Sequence, residues 1–323
     1  MNTAPIVYVG VDVAKASLRF DAGDGYSKSV ANQTAAIRRE LARLQKHIPT
    51  GSVLHVCFEA TGCYTRKLRH ACRAADIAAS TLNAFKVKQY ARSMSISAKT
   101  DPIDARVIRL FSEHKKPNPD APLTSGQEEM KELAGLRALY QKQASMLKGA
   151  LESAGTACAK KSIQSALAAL ERQIGKLEAR LKELCNADAK RAAVCAGLAK
   201  IDGVGDLTAM LIIALVPELG TLCRRRAASL AGLAPHPEDS GTIHAPRHIK
   251  GGRFHVRRAL FMAALSASQY NAVLKAVYAK KIQEGKPFKV AIVCVMRKLF
   301  AHMDRVAAKV LNDLGTTPST TTA

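Results

Sequence analysis

The 323-residue sequence predicts an α/β domain followed by a mainly helical remainder, and three observations carry that division. Residues 6–12, 17–21 and 26–30 are short β-rich segments that follow one another across tight turns, as in an antiparallel meander. Strand and helix signals then alternate to about residue 112, the pattern of a mixed sheet with flanking helices. Beyond the cluster Pro117, Pro119 and Pro122 the hydrophobic spacing becomes almost wholly helical.

Each element has its own justification. Residues 6–12 (IVYVGVD) are β-branched and continuous, as in a buried strand, and AGDG at 22–25 supplies a turn. Residues 33–46 have helical spacing, 52–59 read as a strand, 63–75 as a helix and 77–82 as a strand. Residues 84–93 and 102–112 read as helices. These elements define a first domain over residues 1–116, and the run KKPNPDAPLTSG makes 117–126 a linker. Residues 127–196 form a helical hairpin or coiled coil. Ile163, Leu167, Leu170, Ile174, Leu177, Leu181 and Leu184 give a heptad seam, and Leu133, Leu136, Tyr140, Ala144, Leu147 and Leu151 a second stripe. Between them SAGTACAKK (153–161) is the turn, and the two seams pack on each other or on a second chain. Residues 197–315 form a helical C-terminal domain broken by a loop over 233–252, and the polar tail 316–323 is expected to fray.

Composition bounds the function. Lys and Arg number 49 against 26 Asp and Glu, a net charge of +23, which calls for a polyanionic partner. Nucleic acid is the first choice over an acidic membrane surface. A hydrophobic content of 48% excludes wholesale disorder, while 5% aromatics and no Trp limit stacking contacts. Eight Cys without a C-x-x-C, and no secretory signal pattern, predict free thiols in a reducing cytoplasm. The longest apolar run, 207–216, is far short of the ~20 residues a membrane span needs.

Four carboxylates stand out in the first domain. Asp12 ends one apolar strand and Glu59 ends another, in VCFEATG. Asp101 and Asp104 lie three apart in AKTDPIDARVIRLF, where Thr100 or Asp101 caps a helix and Pro102 suits its first turn. At that spacing both acids point to nearly the same side. Taken singly, each has an ordinary explanation as a cap or turn residue. Gathered at one sheet edge, the four must be protonated or bridged by cations, and Mg²⁺ accepts such a set. Two such ions ~4 Å apart clamp the attacking and leaving oxygens of a phosphodiester. His55, Cys57, Cys63, His70 and Cys72 fit no common zinc spacing, and core thiols account for Cys57 and Cys72.

The segments YVGVDVAKASL, FEATGCY and AKTDPIDARVI resemble the N-terminal domain of the DEDD-type insertion-sequence transposases, the bridge-RNA-guided, serine-containing recombinases. The resemblance runs from about residue 6 to about residue 115 and resumes near the C-terminus. It implies a RuvC-like (RNase H-like) mixed sheet in which Asp12, Glu59, Asp101 and Asp104 are the catalytic acids and bind Mg²⁺. Of these motifs K-T-D-x-x-D-A is the specific one, and G-V-D-V-A-K is less so.

Within residues 229–265, Ser240 and Gly241 sit in a loop with His236, His244, His248 and His255 and with Arg247, Lys250, Arg253, Arg257 and Arg258. Ser beside Gly is ordinary turn chemistry, but the arginines suit a phosphate. L-A-P-x-x-x-x-S-G, followed by I-K-G-G-x-x-x-x-R-R, resembles the C-terminal domain of the same transposases. The implied role of Ser240 is attack on a DNA phosphodiester, giving a 5′-phosphoserine link and a free 3′-hydroxyl. The resemblance also implies target and donor DNA, an element-encoded bridge RNA, and a homodimer that assembles to a tetramer and shares its active sites between protomers. Phe254-His255-Val256 ahead of Arg257-Arg258 departs from relatives, which puts local DNA contacts in question. LAKIDGVGDLTAMLI (198–212) resembles a helix-hairpin-helix whose Gly203 and Gly205 bind a phosphate backbone, and Arg224, Arg225 and Arg226 are further nucleic-acid contacts. Two competing functions remain: a metal-dependent, structure-specific junction endonuclease using water, and a non-catalytic basic nucleic-acid-binding protein.

Overall fold

The computed structural model describes residues 4–96, 100–236 and 247–315. The chain divides into two compact units, Met1–Pro122 and Leu123–Ala323.

The first unit opens with β1 (Ile6–Val13), β2 (Ser17–Gly23) and β3 (Tyr26–Ala31), followed by α1 (Thr34–His47) and β4 (Val53–Glu59). A 3-10 turn (Gly62–Thr65) leads into α2 (Arg66–Ala74), then β5 (Ala78–Leu82), α3 (Ala84–Ser93) and α4 (Asp101–Lys115). The strands form one sheet in the order β3-β2-β1-β4-β5. β1 to β3 are antiparallel neighbours, and β4 and β5 run parallel to β1. This mixed five-stranded sheet with helices on both faces fits an α/β RNase H-like fold.

Strand alternation sends side chains to two different cores. Val9, Val11, Val13, Leu54, Val56 and Phe58 pack with Ile37, Leu41 and Leu44 of α1 and with Leu68 and Cys72 of α2. Tyr8, Cys57 and Leu82 face the other way, against Val87 of α3 and Val107, Ile108 and Phe111 of α4. The segment after α4, read from sequence as an irregular linker, is held along β5. The Asp120 amide donates to the Ala79 carbonyl (2.7 Å), and its carboxylate accepts from the Thr81 amide (2.9 Å) and hydroxyl (2.6 Å). Ser80 donates to the Asn118 carbonyl (2.8 Å), so its oxygen accepts from His55 Nε2 (2.8 Å). An otherwise open sheet edge is thereby covered.

The second unit begins with α5 (Ser125–Ser153) and α6 (Ala157–Asn186), the expected hairpin, with its turn shortened to residues 154–156. The Thr124–Gln127 capping box starts α5. The hairpin is antiparallel and intrachain, tied by Arg137–Glu178 (2.6 Å) and Arg180–Glu129 (2.8 Å). α7 (Ala189–Ala199), α8 (Asp206–Leu215) and α9 (Arg224–Leu230) follow, then a two-residue pair β6 (Pro235–His236) and β7 (His248–Ile249). α10 (Phe254–Tyr270), α11 (Ala272–Gln283) and α12 (Phe288–Gly315) complete the unit. Met130, Ala134, Leu181 and Leu184 at the hairpin's base share one core with Leu198, Ile212, Leu260, Val295 and Phe300. No helix of the described residues is long and apolar enough to cross a membrane.

Candidate active site

β1 and β4 pair in parallel from Ile6↔Val53 to Val11↔Phe58. One step further along this register sets Asp12 beside Glu59. Neighbouring strands are about 4.8 Å apart, and register partners share a face. The two acids therefore stand near the C-terminal ends of adjacent strands on the same side of the sheet, the side that α4 covers. Gly10 fixes how closely α4 approaches. A Cβ there would overlap the Ala105 carbonyl and the Arg109 amide, so only glycine admits the helix at this distance.

α4 runs antiparallel to β1, since Ala105 and Arg109 lie over Gly10 while Phe111 packs with Tyr8. From Gly10, two strand residues advance about 6.6 Å to Asp12. From the middle of the Ala105–Arg109 turn, helix rise carries Asp104 and Asp101 about 4.5 and 9 Å the same way. The first turn of α4 thus brackets the level of Asp12. Asp12, Glu59 and Asp104 are half-buried, and Asp101 is exposed. Thr100 is the N-cap, without a side-chain cap bond, and Pro102 lies in the first turn.

Among the described residues, no three or more His, Cys, Asp or Glu side chains already stand as a metal-holding group. Backbone register brings the acids to one edge, while mutual repulsion opposes close approach of their charged side chains. Thr61, two residues past Glu59, has a buried hydroxyl with no hydrogen-bond partner among the described residues, and so does the Asn32 Oδ1. Orphaned oxygens of this kind suit an edge that a polar ligand completes. Asn32 itself clamps the edge: its amide nitrogen donates to the carbonyls of Ala14 (2.9 Å) and Tyr64 (3.1 Å), joining the segments that leave β1 and β4. Sequence reasoning passed over Asn32; a buried Asn after a strand was its only signal.

The layer beneath is neutral. Burial pushes the Cys57 thiol up to about 11 and the Cys72 thiol up to about 12. Burial also lowers the affinity of His55 for a proton, against the opposing pull of Asp120. These groups are core residues rather than zinc ligands, and the oxygen donors above them suit a hard cation such as Mg²⁺. Arg109, on the same helix as Asp101 and Asp104, braces α4. It pairs with Asp21 on β2 (2.5 Å) and with Glu113 (2.6 Å).

In the second unit, Ser240 and its neighbours 237–246, His244 included, lie outside the described residues. The residues on either side of that stretch are described. β6 and β7 pair as Pro235↔Ile249 and His236↔His248. A Cβ on Gly232 would overlap the Gly251 carbonyl, and one on Gly252 would overlap Gly232. Arg257 Nη1 donates to the Gly251 carbonyl (2.7 Å) and, more distantly, to those of Ala231 and Gly232 (3.4 Å each). Its guanidinium also stands 5.8 Å from the centre of the exposed Phe254 ring. Arg253 binds Glu218 with both Nη atoms and the Leu215 carbonyl (3.0 Å). Burial pushes the Glu218 carboxyl up, but hydrogen bonds from Arg253 and the backbone, with the charges of Arg253 and Arg226, hold it below the usual range. Arg253 and Arg257 thus hold the stem; Arg247, Lys250 and Arg258 are exposed, as Arg253 also is.

The two hairpin glycines separate in the same way. Gly203 (φ +91°) packs so tightly on Ala267 of α10 that a Cβ would overlap its backbone, so its glycine serves the core. Gly205, the N-cap of α8, is exposed with open space around it. Arg224, Arg225 and Arg226 are exposed in the first turn of α9, a position where helix electrostatics disfavour cations.

Comparison with known proteins places both halves. A family model described as "Transposase", of the DEDD IS110 type, matches residues 9–154, and one described as "Transposase IS116/IS110/IS902 family" matches residues 195–279. The chain is 28% identical over 302 residues to the "Pilin gene-inverting protein" of Moraxella bovis, covering 90% of this chain and 92% of that protein. The Moraxella lacunata protein of the same name is equally similar. An "Insertion element IS110 uncharacterized 43.6 kDa protein" of Streptomyces coelicolor is 31% identical over 140 residues, 42% of this chain and 33% of that protein. The chain belongs to the DEDD-type insertion-sequence transposases and is a DNA transposase/recombinase.

Proposed function

We propose that this transposase is a site-specific recombinase that cuts and rejoins DNA through a 5′-phosphoserine intermediate, with Mg²⁺ held by Asp12, Glu59, Asp101 and Asp104. The observation that carries the metal assignment is the β1–β4 register, which sets Asp12 and Glu59 side by side under the first turn of α4. When bound, Mg²⁺ polarises the scissile phosphate and stabilises the leaving oxygen. Ser240 supplies the nucleophile: its Oγ bonds to phosphorus, the P–O3′ bond breaks, and the 3′-oxygen leaves as a hydroxyl. A second 3′-hydroxyl then displaces the serine and restores the phosphodiester.

The name of the Moraxella relatives supports a recombination reaction, since inverting a gene requires strands to be cut and rejoined. Arg224, Arg225, Arg226, Arg247, Lys250 and Arg258, all exposed, and the amide end at Gly205 are the groups that take nucleic acid in this reading. Arg253, Arg257 and Gly203 act on binding by holding the framework. Target and donor DNA are the substrates. An element-encoded bridge RNA chooses them by base pairing, so sequence choice rests largely in that RNA. The protein works as a homodimer that assembles to a tetramer.

The test is adduct formation on a suicide DNA substrate with the full chain, Mg²⁺ and the element's RNA. Wild type is expected to form a covalent protein–DNA adduct, while Ser240→Ala and Asp12→Asn form none. Adduct from Ser240→Ala overturns the serine mechanism. Strand cleavage without adduct in that variant, still lost in Asp12→Asn, indicates a metal-dependent junction endonuclease instead. Full activity in both variants overturns the catalytic reading altogether.

A further inference from the structure

The sheet edge that ends in acids also carries aromatic rings turned to solvent. Phe85 is 69% exposed and Tyr64 is 40% exposed, in a chain with eight Phe, seven Tyr and no Trp. A single exposed ring is unremarked on most surfaces. The placement of these two is what matters. β4 ends at Glu59, and the 3-10 turn Gly62–Thr65 that contains Tyr64 follows it. β5 ends at Leu82, which pairs with Glu59, and Asn83 caps α3 by accepting from the amides of Phe85 and Lys86. Asn32 ties the Tyr64 carbonyl to Ala14, two residues beyond Asp12. Both rings therefore project from the segments that leave the acid-bearing edge. Lys15, Arg66, Lys86 and Lys88, all exposed, stand on those same segments.

We propose that Phe85 and Tyr64 are stacking platforms for unpaired nucleobases of the strand held at the acidic edge. The pattern of rings interleaved with cations is the chemistry of single-strand binding: the cations track the phosphates, and each ring takes the face of a base without reading its sequence. In a duplex those faces are hidden by stacked neighbours, so the platforms favour a strand whose bases are splayed. The inference rests on the acidic edge being the strand-cleaving site, and it adds the form in which the strand is held there.

Binding by the full chain is measured with a labelled single-stranded oligodeoxynucleotide and with a duplex of the same sequence. Phe85→Ala and Tyr64→Ala are each expected to weaken single-strand binding about tenfold, the cost of one lost stack, and to leave duplex binding unchanged. Phe85→Trp is expected to retain affinity. Because the chain has no other Trp, its emission reports the site directly: quenched by the oligonucleotide, and unquenched by an abasic strand of equal length. Wild-type affinity in Phe85→Ala, equal losses on duplex, or equal quenching by the abasic strand overturns the proposal. Cleavage is read separately: if Asp12→Asn still cuts, the reading of the edge fails while the stacking result stands on its own.

Discussion

At the acidic edge, regular structure does the positioning. Asp12 and Glu59 are set by a parallel register, and the acids of α4 by a helix resting on Gly10. The stem around residues 231–258 is held differently. Its strands are two residues long, and its order comes from Arg257 on three carbonyls, from Arg253 on Glu218, and from glycines packed backbone to backbone. Asp304 of α12, 6% exposed, adds a third clamp by accepting from the Gly220 (2.6 Å) and Leu222 (3.3 Å) amides ahead of α9. A metal site tolerates little error in ligand position, which favours strands and helices. Under the function proposed above, this stem brackets the segment that carries Ser240, and its side-chain clamps hold the residues on either side of that segment.

The sharpest way to break this contrast is Gly10→Ala. The added methyl overlaps the backbone of α4, so the helix must move away from β1. Overpacking of this kind costs about 1–3 kcal/mol, and displacing catalytic groups by about 1 Å costs about a hundredfold in rate. Thermal unfolding and strand-cleavage kinetics measure both. Gly175→Ala on α6, with open space around it, is the control and is expected to stabilise by up to about 1 kcal/mol with activity intact. Equal behaviour of the two variants would show that α4 is not seated by Gly10.

A smaller effect sharpens the other side. Glu218 has a lowered folded pKa, so its contribution is present above the unfolded value of about 4.3 and is lost as pH falls through the folded one. Amide exchange at Leu233 and Arg253 is expected to quicken below about pH 4.3 in wild type. In Glu218→Gln it is expected to be quicker already at neutral pH, and to show no such transition. Half-exposed pairs of this kind contribute only about 0.2–1 kcal/mol, so folding of the unit is expected to survive. Insensitivity of stem exchange to both pH and the substitution would remove Arg253–Glu218 from the clamp.

Legibility followed the same contrast. The continuous β-branched run IVYVGVD and the breaks at AGDG and VCFEATG place β1, β2 and β4 within a residue or two, because strand composition and turn chemistry are local. The acids could be singled out because an Asp or Glu ending an apolar strand is conspicuous. The seat of α4 on Gly10 was not visible, since a close approach involves residues some 95 positions away, and a glycine within a strand signals only that something comes near. Arg247, Lys250, Arg253, Arg257 and Arg258 were read together as cations suited to a phosphate. Charge cannot distinguish Arg257, facing carbonyls, from Arg258, facing solvent, until α10 fixes their directions. Likewise the prolines of 117–126 signalled a linker, but not that Asp120 would bind the edge of β5.

The central claim, that the sheet edge is a divalent-metal site, is tested most directly by Mn²⁺ titration monitored by electron paramagnetic resonance. The sample is the full-length Ser240→Ala protein bound to uncut DNA. Tight Mn²⁺ uptake is predicted for this parent and is predicted to be lost on adding Asp12→Asn, Glu59→Gln or Asp104→Asn, with a weaker loss for the exposed Asp101→Asn. Uptake unchanged by all four substitutions would contradict the account.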